Sequence, residues 1–221
     1  MNGCVALASI IGPQRTESEL LTQVWEQIAE KYAERRALVV DSCGALAGYA
    51  QSELRQSLIL SILQQMSEDR STLVREAVAR NLSILIGYFE SGEKYAQVEQ
   101  LFTKLLLQDT EPDVVNAARS QLLFALADWT DLHDSFHSKL LSMLLTEIQV
   151  IVMVCTYLMR EPTLIILFQK NEGAQEVLTD RETHQLQLLL SSFVALVPRL
   201  KECVFSANPA ITVCVHEVNA S

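Results

Sequence analysis

The chain is short of the residues that tight β structure needs. It carries 7 glycines and 5 prolines in 221 residues. Sandwiches and barrels reverse direction often and draw heavily on both, so the composition argues against them. Basic residues are also few, 17 Lys and Arg against 27 Asp and Glu, for a net charge of −10. Nucleic acid and anionic membrane surfaces are gripped by cationic patches, so neither is an expected direct partner. The cysteines Cys4, Cys43, Cys155, Cys203 and Cys214 are odd in number, scattered, and never spaced as CxxC. They read as small buried hydrophobes in a reducing compartment. No Lys or Arg precedes the apolar run in MNGCVALASIIG, and position 2 is Asn2 where N-myristoylation needs glycine. Neither a signal peptide nor that lipid anchor is expected.

Catalytic signatures are missing too. The chain has no Gly-rich phosphate loop, no GxSxG and no paired carboxylates in a recognisable setting. Cys43 lies two residues from Asp41, which raises a thiol pKa and does not activate it. His133 and His137 have i, i+4 spacing, but Asp134 stands where HExxH needs Glu, and no third ligand is evident. No catalytic residue, cofactor or metal is expected, and the chain reads as non-enzymatic.

What is present is a periodic hydrophobic pattern at 49% apolar content. In DRSTLVREAVARNLSILIGYF, Asp69 to Phe89, apolar residues fall at Leu73, Val74, Ala77, Val78, Leu82, Leu85, Ile86 and Phe89. That spacing is one face of a helix. The pattern returns in DTEPDVVNAARSQLLFALADW, Asp109 to Trp129. There Asp69, Val74, Ala77, Leu82 and Ile86 match Asp109, Val114, Ala117, Leu122 and Leu126 at a separation of 40. A looser copy lies upstream, where Leu38, Val39, Asp41, Ser42 and Cys43 match Leu73, Val74, Glu76, Ala77 and Val78 at an offset of 35. The expected repeat core is therefore Leu38, Val39, Val74, Ala77, Leu82, Ile86, Val114, Ala117, Leu122 and Leu126. A helical unit at this interval predicts an all-α fold, a right-handed HEAT- or armadillo-like α-solenoid of about four to five antiparallel helix pairs.

Gly12-Pro13 ends a first helix, whose stripe from Gly3 to Ile11 looks like the end of a longer one, so the chain is expected to be a fragment or a product truncated at its N-terminus. Thr16-Glu17-Ser18-Glu19 fits a capping box for a helix to about Lys31. Further helices are expected from Arg35 to Tyr49, from a Ser52 cap to Met66, from Lys94 to Leu107, and after Pro112 in a first turn. Another runs from Phe136 to Ile148. Residues 1–148 form the HEAT-like repeats; 149–181 an irregular apolar segment and polar linker; 182–205 a terminal helix; and 206–221 an extended or disordered tail. Val150 to Gln169 is apolar but broken by Arg160-Glu161-Pro162, which disfavours a membrane span.

Second helices of HEAT units usually line the concave face, which places Glu26, Arg55, Gln56, Glu99 and Lys104 on or near a partner-binding surface. Arg75 is expected to pair with Asp69 or Asp109 in a charge ladder that orients successive units. Trp25 and Trp129 fall on apolar stripes and are expected in the core.

The strings GCVALASIIGP, VWEQIAEKYAERRALVVDSCGALA, SLILSILQQM, DRSTLVREAV and ALADWT resemble the C-terminal HEAT region of the RELCH family, proteins with LisH, coiled-coil and HEAT parts. The resemblance covers Gly3 to Ile148 and resumes from Gly173 to Phe205; the chain lacks the LisH and coiled-coil parts that would mediate self-association. It implies a scaffold that engages a Rab-family GTPase and an oxysterol-binding protein, tethers recycling endosomes to the trans-Golgi network and promotes sterol transport. It further implies a cytoplasmic protein that meets membranes only through its partners. Two other readings stand beside it: a HEAT platform for a phosphatase or transport receptor, and a lipid carrier whose segment 150–169 lines a cavity.

Overall fold

The apolar spacing becomes helix along the whole of the computed structural model, which describes residues 2–160 and 179–200. Among these residues there are nine helices and no strand. They are α1 (Asn2–Ile11), α2 (13–26), α3 (Ala33–Leu46), α4 (52–66) and α5 (Thr72–Ile86). Then come α6 (95–108), α7 (112–132), α8 (137–160) and α9 (Asp180–Leu200). The expected linker and tail fall largely on residues 161–178 and 201–221, outside the described residues. The helix expected to stop at Ile148 continues to Arg160. Among the described residues, no helix is long and apolar enough to cross a membrane.

The odd-numbered helices α1, α3, α5 and α7 pack in a row, each on the next. The even-numbered α4 packs on α3 and α5, α6 on α7, and α8 on α7 and α9. Nine of the ten expected core residues are buried: Val39, Val74, Ala77, Leu82, Ile86, Val114, Ala117, Leu122 and Leu126. Each fully buried aliphatic side chain contributes roughly 1.5–3 kcal/mol of transfer free energy, so this row contributes substantially to stability. The tenth, Leu38, is 51% exposed, as a correction to the stripe. It was matched to Leu73, which is itself 42% exposed; both sit one residue before the buried Val39 and Val74, at the edge of the face.

The α3–α5 contact depends on a glycine. Asn81 is buried in α5, and its amide donates to Asp41 Oδ1 at 2.7 Å and to the Ala77 carbonyl at 2.8 Å. A Cβ on Gly44 would lie 2.0 Å from Asn81 Oδ1. Gly44 therefore lets the helices approach closely enough for Asp41 to reach Asn81.

Three other expectations are corrected. Thr16 does not cap a helix. Gly12, at φ 80°, makes the turn, and Pro13 takes the first helical position, where its missing N–H leaves nothing unsatisfied. Thr16 then lies inside α2 and its hydroxyl donates to the Gly12 carbonyl at 2.9 Å. α2 ends at Glu26, short of Lys31. Trp25 is 42% exposed, because α2 has a neighbour on only part of its surface, whereas Trp129 is buried against Phe89 and Tyr95.

Candidate protein-binding face

Two kinds of charged site occur in the described structure. The first is a ladder along the odd-numbered helices. The Arg36 guanidinium at the start of α3 holds Asp69 through two bonds of 2.6 and 2.9 Å, and donates to the Glu30 and Lys31 carbonyls. Arg75 at the start of α5 holds Asp109 in the same way, at 2.6 and 3.1 Å, and donates to the Asp69 carbonyl. Each aspartate also accepts the amide two residues on, Ser71 or Glu111, which shapes the turn into the next helix. Bidentate Arg–carboxylate geometry fixes orientation as well as distance. Burial works against the charge on Asp69, but Arg36 and the Ser71 amide outweigh it and hold the pKa below the usual carboxylate range. Burial, Arg75 and the Glu111 amide do the same to Asp109. Arg75 was expected to pair with Asp69 or Asp109; it takes the side chain of one and the carbonyl of the other. Arg36 carried no sequence signal, because the upstream copy is too loose to align it.

The second site is an open groove of about 700 Å³ between α6 and α8. Glu99, Lys104 and Tyr95 come from α6; Lys139, Met143 and Glu147 come from α8. The Lys139 ammonium lies 4.9 Å from the centre of the Tyr95 ring. Lys104 pairs with Glu68 and donates to Ser67 Oγ at 3.2 Å, bridging α6 to the end of α4. Burial, with Glu147 nearby, pushes Glu99 above the usual carboxylate range against the opposing pull of Tyr95 and Lys139.

The five residues expected on the binding face do not converge. Glu99 and Lys104 share the groove. Arg55 is occupied elsewhere: it donates to the Ala50 and Ala47 carbonyls at 2.8 and 3.4 Å, capping the end of α3, and its guanidinium lies over Tyr88. Gln56 is half-buried and reaches Ser52 Oγ at 3.4 Å within its own helix. Glu26 is exposed on α2. Sequence reasoning missed Glu147 and Lys139, which come from a helix beyond the repeated strings. Cys43 is buried, and burial pushes its thiol up to about 12, which leaves it inert at neutral pH. His133 and His137 pack edge-on against Trp129 and Phe136. Among the described residues, no group of three or more His, Cys, Asp or Glu side chains could hold a metal ion.

Comparison with known proteins bears on the family of the chain. The family described as the RAB11-binding protein RELCH N-terminal domain matches residues 1–209. The RAB11-binding protein RELCH of Mus musculus is 41% identical over 210 residues, 95% of this chain and 15% of that protein. The Homo sapiens protein gives the same figures, 41% over 210 residues, 95% and 15%. The Danio rerio homolog is 39% identical over 201 residues, 90% of this chain and 15% of that protein. The chain thus spans about 15% of the length of these relatives. No solved structure matches it. The matched region is the N-terminal domain, which corrects the expected likeness to the C-terminal HEAT region. Apolar helical spacing looks alike in any helical part of a long protein, so the strings identified the family and misplaced the region.

Proposed function

Because the chain belongs to the RELCH family, we propose that it is a non-enzymatic helical scaffold that binds a Rab11-type small GTPase. The supporting observation is the family match over residues 1–209, carried by relatives whose names state RAB11 binding. The architecture is compatible with it. The odd-numbered helices are locked to one another by buried stripes and the Arg–Asp ladder, while the even-numbered helices leave a groove open to a partner. We read the row as a HEAT-like α-solenoid that runs from α1 through α8, with α9 as its terminal helix. On this reading the partner face includes Glu99 and Lys104. The wider role is in tethering recycling endosomes to the trans-Golgi network and in sterol transport with an oxysterol-binding protein, at membranes reached through partners.

The test is a pull-down of RAB11, loaded with GTP or GDP, by the full chain. Capture of the GTP form in preference to the GDP form is expected. Absence of capture in both nucleotide states would remove direct engagement by this part of the family's sequence.

A further inference from the structure

The groove between α6 and α8 has an unbalanced charge. Both of its ammonium groups are already engaged, Lys104 with Glu68 and Ser67, and Lys139 over the Tyr95 ring. Its two carboxylates are held less firmly, Glu99 having only the Tyr95 hydroxyl and Lys139 nearby. Neither Glu99 nor Glu147 makes an ion pair among the described residues. Both line the groove, and both are half-buried. Like charges held together in a partly dry site disfavour their own ionisation and favour an incoming cation. A second observation points the same way. Tyr95 is 7% exposed, and its buried hydroxyl has Glu99 beside it but makes no well-formed hydrogen bond among the described residues. A buried hydroxyl left unpaired is a standing cost that a ligand can relieve. The rest of the lining carries amides and hydroxyls, Gln100, Gln108, Thr103 and Thr146 among them, which suit a polypeptide backbone.

We propose that this groove docks a segment of a partner protein that places a lysine or arginine side chain between Glu99 and Glu147. The proposal rests on the reading of the chain as a protein-binding scaffold and locates the contact. The incoming cation neutralises both carboxylates and brings a donor to the Tyr95 hydroxyl. The chain's net charge of −10 draws a basic segment in from a distance.

The probe is a fluorescein-labelled octapeptide of alternating serine and arginine, titrated into the full chain, with a serine–glutamine octapeptide as control. Two double variants carry the same change in net charge: E99Q/E147Q in the groove, and E53Q/E93Q at exposed positions elsewhere. The arginine peptide is expected to bind and the glutamine peptide not to. E99Q/E147Q should weaken binding about tenfold or more and E53Q/E93Q less than about twofold, the contrast between enclosed and rim charges. Equal losses in the two variants would reduce the effect to net charge and overturn the proposal, as would failure of the wild-type chain to bind. A measurement without mutation guards against misfolding: on the wild-type chain, the peptide should shift the amide NMR signals of residues 99–104 and 139–147, and shifts elsewhere alone would also overturn it. The two readings fail separately. Peptide binding without RAB11 capture would remove the GTPase and keep the groove. RAB11 capture unchanged in E99Q/E147Q, with no peptide bound, would do the reverse.

Discussion

Asp109, at the seam of the odd-numbered helices, faces a guanidinium at 2.6 Å, whereas Glu99, in the groove of the even-numbered ones, makes no ion pair among the described residues and lies near Tyr95, Lys139 and Glu147. The two lie ten residues apart in the chain, yet the fold shifts their pKa values in opposite directions. At the seam each charge has a fixed partner, and the energy goes into orienting one helix on the next. In the groove Lys104 and Lys139 are engaged, whereas Glu99 and Glu147 make no ion pair among the described residues, and the proposed docking draws on those two. The ladder also has an end. It runs Arg36–Asp69, Arg75–Asp109, and then stops, because Val115 stands 40 residues after Arg75. Beyond that point α7 meets α9 through a different set, Arg199 on Asp128 at 2.6 Å and Arg119 on Ser191 at 3.3 Å.

The comparison can be broken most forcefully at the seam. Asp109→Ala leaves Arg75 partly buried and unpaired, and should destabilise the chain by about 3–5 kcal/mol in urea unfolding. A change as small as that of a surface site would mean the rung is ornamental. Leu82→Ala, at a fully buried position on α5, should lose about 2–5 kcal/mol; a loss under about 0.5 kcal/mol would place Leu82 outside the core. Gly44→Ala forces a methyl group onto Asn81 and should cost about 1–3 kcal/mol, with the loss reduced when Asn81→Ala is added.

Acid sharpens the contrast further. Asp69 and Asp109 have folded-state pKa values below their unfolded ones, so their contribution is complete above the ordinary carboxylate value of about 3.9. It is lost as pH falls from there through the folded values. Thermal unfolding across that range should show a steeper loss for the wild type than for a variant lacking both aspartates. Glu99 has the opposite sign: its folded pKa is raised, so above that value ionised Glu99 subtracts from stability. Glu99→Gln at neutral pH should therefore be neutral or slightly stabilising, within about 0.5 kcal/mol. A clear destabilisation would mean that Glu99 is a structural partner like Asp109.

The seam was the legible part. Spacing at 40 residues marked Val74, Leu82, Val114 and Leu122, and Arg75 beside Val74 marked a rung, because burial and ladder chemistry both repeat with the helices. Leu38 was misjudged because a stripe read by offset cannot separate the centre of a helical face from its edge. Thr16 was misjudged because Gly12-Pro13, three residues earlier, already supplies a turn and a first helical residue. The groove was half legible. Glu99 and Lys104 follow from their place on a second helix, but Glu147 and Lys139 meet them only through the packing of α6 beside α8, which no local pattern encodes. Arg55 was expected on or near the partner-binding face and is a helix cap, since nothing in the string RQSLI marks the carbonyls of Ala47 and Ala50 as its partners.

Amide hydrogen exchange on the full chain, with and without GTP-loaded RAB11, addresses the division between seam and groove most directly. Slowed exchange is expected in residues 95–108 and 137–147, with α3 and α5 unchanged. Slowing confined to α3 and α5, with the groove exchanging as before, would contradict the account.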